Sequence, residues 1–385
     1  MAPDDASPPE RTPGRPPGSY RIGSVGGVDV FVRASWLVIA IAIAVLLAPR
    51  VEQEEPGLGV LKYVAGLAFA VLLYLSVLLH EMSHALMARR FGLPVRSITL
   101  HFLGGMTEIE GEAATPGQEF KIAVVGPLTS LAVGVAALLV VHVLPDGLTR
   151  MALEGLAGAN LIVGLLNLVP GLPLDGGRVL RAAVWQLAGN PHRGTIVAGW
   201  TGRAVAVAAL LWPVFAQVVL GVQPDLFDYL FAAIIAGFLW SGATASMVSA
   251  HIRRRLPALK ARPLARRVVL VPEDLPVSEA VRRAQDAAAG GIVLESSDGT
   301  LAGVVSEAAL LATPEERRPW LPASAVARTL GDGMLLPADI AGEDLVRAMA
   351  RVPASEYVLV EQDGTVYGLL ATTDVDAAFE AGARR

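Results

Sequence analysis

Residues 61–88 read LKYVAGLAFAVLLYLSVLLHEMSHALMA, and apart from Lys62 their charged and histidine side chains all lie near the end. A helix needs about 20 apolar residues to cross the roughly 30 Å hydrocarbon core of a bilayer. This stretch is long enough, so it predicts a transmembrane helix. Its terminal groups, His80, Glu81 and His84, would lie inside the membrane, where ionisable side chains are costly and by default mark a functional site.

The composition of the whole chain agrees with a membrane protein. Of its 385 residues, 53% are hydrophobic and 17% are charged, and the mean hydropathy is +0.52, whereas soluble domains carry about 25% charged residues. The net charge of −5 argues against a broad nucleic-acid-binding face. Residues 121–250 carry 11 charged side chains and residues 251–385 carry 35. A membrane part is therefore followed by a soluble part.

Six runs of sequence are long and apolar enough to cross a bilayer: residues 34–49, 61–88, 118–144, 151–170, 202–222 and 226–250. Lys and Arg residues concentrate before the first run, after the second, between the fourth and fifth, and after the sixth. The positive-inside rule then places both termini in the cytoplasm. Residues 1–20 hold six prolines, which predicts a disordered tail. Alternating valines between Gly27 and Arg33 predict a short strand.

His80 and His84 are four residues apart, so both imidazoles lie on one helical face and can bind one ion. Glu81 lies beside them, where it can take a proton from water that the ion activates. The chain has no cysteine, so only His, Asp and Glu remain as metal ligands. A catalytic zinc site uses three protein ligands and one open position. A third ligand must therefore come from elsewhere in the chain.

The candidate third ligand is Asp175, which lies in the segment NLVPGLPLDGG at residues 167–177. Two prolines interrupt the fourth run, and irregular backbone at membrane depth is tolerated only where it is buried in protein or lines a wet cavity. The second and fourth runs both approach the cytoplasm, which places Asp175 at the depth of the histidines. Its two following glycines are expected to turn the backbone closely and leave room for water. The alternative is a helix-stop aspartate at the interface.

Two further segments carry turn signals. Gly104 and Gly105 lie among β-prone residues of the cytoplasmic stretch 97–110, a pattern that fits a hairpin and equally a plain loop. An exposed strand there could hold an extended peptide by β-augmentation.

After Pro257, a helix followed by two short strands with an Asp-Gly turn occurs twice, with the two turns 65 residues apart. Ser278 is the predicted N-cap of the first helix. The predicted fold is a polytopic α-helical membrane protein with about six transmembrane helices and a C-terminal soluble α/β module.

These motifs resemble those of the site-2 protease family of intramembrane zinc metalloproteases. The family signatures are His-Glu-x-x-His in one span and Asn-x-x-Pro-x-x-x-Leu-Asp-Gly in a later one, and the matching residues here are His80, Glu81, His84, Asn167, Pro170, Leu174, Asp175 and Gly176. The C-terminal repeat resembles tandem CBS domains, as in the six-span subgroup of the family. The resemblance implies one zinc ion per chain on His80, His84 and Asp175. It also implies Glu81 as general base and Asn167 as a helper near the reacting carbonyl.

The function implied by the resemblance is cleavage of transmembrane segments of other membrane proteins near the cytoplasmic face, by a multi-pass protein of the cell membrane. The implied partners are a transmembrane substrate and membrane lipid, and nucleic acid is not expected to bind. Gly104 and Gly105 are expected to contact the substrate. The implied domains are residues 1–20, 21–255 and 256–385, the last holding CBS copies at about 263–315 and 322–381. A CBS-gated transporter or channel is the alternative, but it leaves Glu81 between two histidines unexplained. A proteolytically inactive scaffold is the second alternative.

CBS domains often bind adenosine nucleotides between two copies, through a hydroxyl and an acid that follow the last strand. Here the first copy keeps the hydroxyl, as Ser306, and lacks the acid. The second copy keeps the acid, as Asp374, and lacks the hydroxyl. Two roles therefore remain open for the pair: regulation of the protease by a bound nucleotide, or a structural role that includes homodimer formation.

Overall fold

A computed structural model describes residues 18–101 and 104–381 of the chain. The chain divides into two compact units, Met1–Val248 and Ser249–Arg385. Residues 1–17 of the predicted tail lie outside the described residues. Ser19 and Tyr20 belong to the first strand, so the disordered tail predicted through residue 20 is wrong for these two positions, which pair with the following strand.

A four-stranded sheet belongs to the first unit. Its strands are β1 (Ser19–Val25), β2 (Val28–Arg33), β3 (Val95–His101) and β4 (Gly104–Ile109). They lie in the order β1-β2-β3-β4, with β2 and β3 parallel and the other pairs antiparallel. Strand β2 confirms the strand predicted from alternating valines, and β3 and β4 form the predicted hairpin. Gly104 and Gly105, however, lie within β4, opposite His101 and Leu100.

Seven helices begin in the described part of the first unit: α1 (Ser35–Glu54), α2 (Leu61–Arg90), α3 (Pro116–Val141), α4 (Leu148–Asn167), α5 (Asp175–Ala188), α6 (Pro191–Leu220) and α7 (Leu226–Arg255). All except α5 are long and apolar enough to cross a membrane. The predicted number of six spans is therefore confirmed for the described residues. Helix α5 has 14 residues and carries two arginines, so a search for long apolar runs could not detect it.

Helix boundaries differ from the predicted ones where local capping decides them. Helix α6 begins at Pro191 rather than near residue 202, because the Asn190 side chain accepts hydrogen bonds from the N–H groups of His192 and Arg193. Proline at the first helical position suits this start, since its missing N–H would have no helical partner. The fourth predicted run ends earlier than expected, at Asn167, three residues before the first proline of the segment.

The second unit contains two sheets and short helices. Its elements are α8 (Ala261–Leu264), β5 (Val268–Pro272), α9 (Val277–Asp286), β6 (Gly291–Glu295), β7 (Leu301–Val305), α10 (Glu307–Ala312), β8 (Ala327–Thr329), β9 (Leu335–Pro337), α11 (Gly342–Arg351), β10 (Glu356–Val360), β11 (Val366–Ala371) and α12 (Thr372–Ala381). The sheet orders are β5-β6-β7-β8 and β11-β10-β9. The antiparallel pairs β6–β7 and β10–β11 confirm the repeated hairpin. The N-cap of α9 is Pro276, so the prediction of Ser278 is wrong.

The two cores of this unit do not follow the predicted boundaries of the copies. Leu259 and Ala261 precede the first copy, yet they pack in the core built by β9, β10, β11 and α11. Ala323 and Val326 fall within the predicted second copy, yet they pack with β5, β6 and α9. The core of each copy is therefore completed by residues that lie outside the boundaries predicted for that copy.

Candidate metal centre

The candidate metal centre brings together two ligand atoms from α2 and one from the first residue of α5. The Nε2 atoms of His80 and His84 lie 3.2 Å apart, and each lies 3.2 Å from Oδ2 of Asp175. The histidines are 6% and 4% exposed. Within residues 18–101 and 104–381, this is the one group of three His, Asp or Glu side chains whose ligand atoms could share an ion.

The triangle of ligand atoms has the dimensions of a zinc site. Zinc binds nitrogen and oxygen at about 2.0–2.2 Å in tetrahedral geometry, which separates the ligand atoms by roughly 3.3 Å. The three observed separations of 3.2 Å agree with that value. Two imidazole nitrogens and a carboxylate oxygen pointing at one place form a set of acceptors that a cation satisfies. The donor set therefore fits zinc and leaves a fourth position for water or substrate.

Helix α3 orients both imidazole rings from behind. His84 Nδ1 lies 2.6 Å from the carbonyl oxygen of Ile122, and His80 Nδ1 lies 3.0 Å from the Ser130 hydroxyl. Because Ile122 offers only an acceptor, Nδ1 of His84 carries the proton and its Nε2 presents a lone pair to a metal. Between these partners, the bare backbone of Gly126 faces the rings: a Cβ there would be 2.2 Å from His84 Nε2.

A folded-back loop delivers the third ligand. After α4 ends at Asn167, the loop is held by a hydrogen bond from Leu172 N–H to the Ala198 carbonyl, and α5 begins with Asp175. A carboxylate in the first turn of a helix is favoured by the helix dipole. Gly176 and Gly177 are buried against this loop, since a Cβ would lie 2.3 Å from Val169 O and 2.2 Å from Leu172 N. The expectation that these glycines leave room for water is therefore wrong, because backbone fills the space.

Strand β4 contacts the acid beside the histidines. The Thr107 hydroxyl donates to Oε2 of Glu81 at 2.7 Å. At Gly105, a Cβ would lie 2.3 Å from Cγ of Glu81, so the close approach of strand and acid requires glycine. From the sequence, Gly105 is predicted to contact the substrate, whereas no motif points to Thr107.

A cavity of about 410 Å³ joins these groups. Seven residues predicted for the site line it: His80, Glu81, His84, Gly104, Gly105, Asn167 and Asp175. Five polar lining residues were not predicted from the sequence: Ser76, Thr107, Ser130, Asn160 and Arg178. Arg178 donates from Nε to the buried Glu119 at 3.1 Å. Its position three residues after Asp175, on the same face of α5, was the available signal.

The two residues predicted to bind nucleotide lie in the second unit, and both already have partners. Asp374 accepts hydrogen bonds from Nε and Nη2 of Arg266 at 2.6 and 2.9 Å. This guanidinium lowers the pKa of the Asp374 carboxyl. Ser306 caps α10 by accepting from the N–H of Ala309 at 3.4 Å.

Six candidate spans and a buried His-His-Asp cluster are the features expected of a membrane-embedded metalloprotease. The model of Peptidase family M50 matches residues 68–147 and 146–211, a region that contains all three ligand candidates. The match places the pattern of this peptidase family on the membrane-spanning helices around the candidate metal centre. This finding favours the protease over the transporter alternative.

Two relatives and one solved structure illustrate the similarity. The Synechocystis protein sll0528, named as a zinc metalloprotease, is 29% identical over 373 residues, which cover 95% of this chain and 96% of that protein. Rip3 of Mycobacterium tuberculosis, named likewise, is 40% identical over 194 residues, and this match spans 49% of each chain. The solved site-2 protease of Methanocaldococcus jannaschii is 22% identical with a TM-score of 0.41, covering 60% of this chain and 95% of that one.

Proposed function

We propose that this protein is an intramembrane endopeptidase that cleaves transmembrane segments of other membrane proteins near the cytoplasmic face. The observation that carries the proposal is the position of the candidate metal centre. His80 and His84 are buried on α2, a helix long enough to span the membrane, and they line a cavity shared with α4 and β4. A peptide bond that reaches this cavity does so at membrane depth.

The residues of the cavity have separate roles in the proposed reaction. His80, His84 and Asp175 would hold the zinc ion. Zinc in such a site lowers the pKa of water to about 7 and polarises a carbonyl group. Glu81 accepts the proton of the water that attacks the scissile carbonyl carbon, and then donates it to the leaving amine nitrogen. Asn167 lines the same cavity, where its amide N–H can donate to the substrate carbonyl oxygen.

Strand β4 supports a role in holding the substrate. It is an edge strand in the order of the sheet, and Gly104 and Gly105 line the cavity. A transmembrane helix satisfies its backbone groups internally, so a segment must unwind before a protease can reach its peptide bonds. Unwound backbone placed beside β4 would regain hydrogen bonds by β-augmentation. The substrate is therefore a transmembrane segment that unwinds locally at low cost, for example at helix-breaking residues.

The proposed function is tested with full-length protein and a one-span substrate in the same lipid vesicles. Cleavage should stop on zinc chelation and return when zinc is restored, and the cut should map to the cytoplasmic half of the span. We also propose that both termini are cytoplasmic, as the Lys and Arg distribution favours. A C-terminal tag should then be digested only from that side. Cleavage outside the span, or cleavage unaffected by chelation, would refute the proposed activity.

For the C-terminal module, we propose that adenosine nucleotides bind only when the Arg266–Asp374 pair opens, since Asp374 is otherwise occupied. Arg266→Ala should then bind adenosine, which carries no phosphate, about fivefold more tightly than the wild type does, because opening such a partly exposed pair costs up to about 1 kcal/mol. Calorimetric titration of the full chain measures this. Arg282→Ala, which removes another ion-paired arginine of the module, is the matched control. No adenosine or AMP binding by any variant would indicate the structural or dimerising role.

A further inference from the structure

We propose that Thr107 is a positioning residue for the proteolytic reaction: its hydroxyl holds the Glu81 carboxylate in the orientation needed for proton transfer. The inference rests on the proposed role of Glu81 as general base. It assigns a task to a residue that neither sequence motif of the family contains.

The contact between the two side chains is specific. Thr107 Oγ1 lies 2.7 Å from Oε2 of Glu81 and 3.1 Å from the Glu81 carbonyl oxygen. A hydroxyl has one proton, so it donates to one acceptor at a time, and the shorter contact is the one to the Glu81 side chain. Hydrogen bonds to carboxylates are shorter and stronger than those between neutral groups. Thr107 therefore fixes the end of the Glu81 side chain while the second carboxylate oxygen stays available.

The surroundings of Glu81 limit its other positions. Gly105 closes the space on the side of β4, since any Cβ there would overlap Glu81 Cγ. Met106 and Glu108 alternate with Gly105 and Thr107 along β4 and point to the opposite face of the strand. Met106 is 52% exposed, and Glu108 forms an ion pair with Arg96. Alternate residues of β4 thus contact the base, and the strand backbone at the sheet edge is the part proposed to pair with substrate. One strand then aligns both the base and the peptide bond.

The test compares Thr107→Val, which keeps the shape and removes the hydroxyl, with Thr107→Ser, which keeps the hydroxyl. Full-length proteins are assayed in vesicles for kcat and KM on a one-span substrate, and their zinc content is measured. Thr107→Val should lower kcat about 10- to 100-fold, as expected for loss of a hydrogen bond to a charged group. KM and zinc content should stay within about twofold. Thr107→Ser should recover kcat to within about threefold of the wild type.

A matched control is Thr99→Val, the same change at a buried threonine of the adjacent strand β3, which should leave kcat unchanged. The proposal is overturned if Thr107→Val keeps the wild-type kcat, or if Thr107→Ser is as slow as Thr107→Val. If the wild-type protein contains zinc but shows no cleavage that depends on Glu81, the proposed function is refuted instead. In that case, experimental structures of the wild type and of Thr107→Val still test the proposal. An identical orientation of the Glu81 carboxylate in the two structures would overturn it.

Discussion

Replacement of Glu81 by glutamine is expected to lower kcat for cleavage of a transmembrane substrate by at least about 10³-fold, because an amide cannot accept the proton of the attacking water. Glutamine has nearly the same shape, and its carbonyl oxygen can still accept the Thr107 hydrogen bond. The three candidate zinc ligands are other residues. Zinc content should therefore stay at one ion per chain, which metal analysis of the purified variant measures alongside cleavage.

His80→Ala is the counterpart of this experiment, since it removes one corner of the triangle of ligand atoms. It should lose zinc and activity together, whereas Glu81→Gln loses activity alone. Cleavage by Glu81→Gln at the wild-type rate would show that another group is the base. Loss of zinc from Glu81→Gln would show that Glu81 is itself a ligand.

Replacement of Gly126 by alanine is expected to weaken zinc binding and to slow cleavage together. The added methyl group would lie 2.2 Å from His84 Nε2 and 2.8 Å from His80 Nε2. The rings cannot swing away without breaking their Nδ1 contacts with Ile122 and Ser130. Alanine gains about 1 kcal/mol in helix propensity, but overpacking typically costs about 1–3 kcal/mol and here displaces the ligand atoms. We expect zinc affinity to fall by about 10- to 100-fold, the loss typical when the groups that orient metal ligands are disturbed.

Gly158→Ala provides the control for this change. Gly158 lies in the membrane-spanning helix α4, and a Cβ built there meets no atom within 4 Å. This variant should keep zinc content, activity and thermal stability at or slightly above the wild-type values. One tightly held zinc ion per chain in Gly126→Ala, measured after dialysis against a weak chelator, would contradict the proposed arrangement of α2 and α3.

The long spans were predictable because crossing a bilayer imposes a minimum run of apolar residues, and each of the six predicted runs overlaps more than half of an observed helix. The Asp-Gly turns were predictable because each fits one local backbone conformation, with Gly299 and Gly364 both at positive φ. Helix α5 was not, since 14 residues of mixed polarity impose no such constraint. Asp175 could be proposed as a ligand only through its setting after two prolines and the family motif.

Contacts between residues that are far apart in the chain were harder to predict than the helices and strands themselves. An apolar pattern shows which face of a strand is buried, but not which element covers it, so Ala323 and Val326 were assigned to the wrong copy. Gly126 carries no local sign that two imidazoles are its neighbours. Thr107 carried no signal, because a threonine on a strand is ordinary. These contacts depend on residues far apart in the chain, which local patterns do not record.

The exchange of segments between the two C-terminal copies has a consequence for folding. A chain cut between the copies would leave the first without β8, Ala323 and Val326, and the second without Leu259 and Ala261. Val293 and Val304 of the first copy also share a buried cluster with Val358 and Leu369 of the second. Neither copy holds a complete core by itself, so the pair gains and loses its structure cooperatively, as one folding unit.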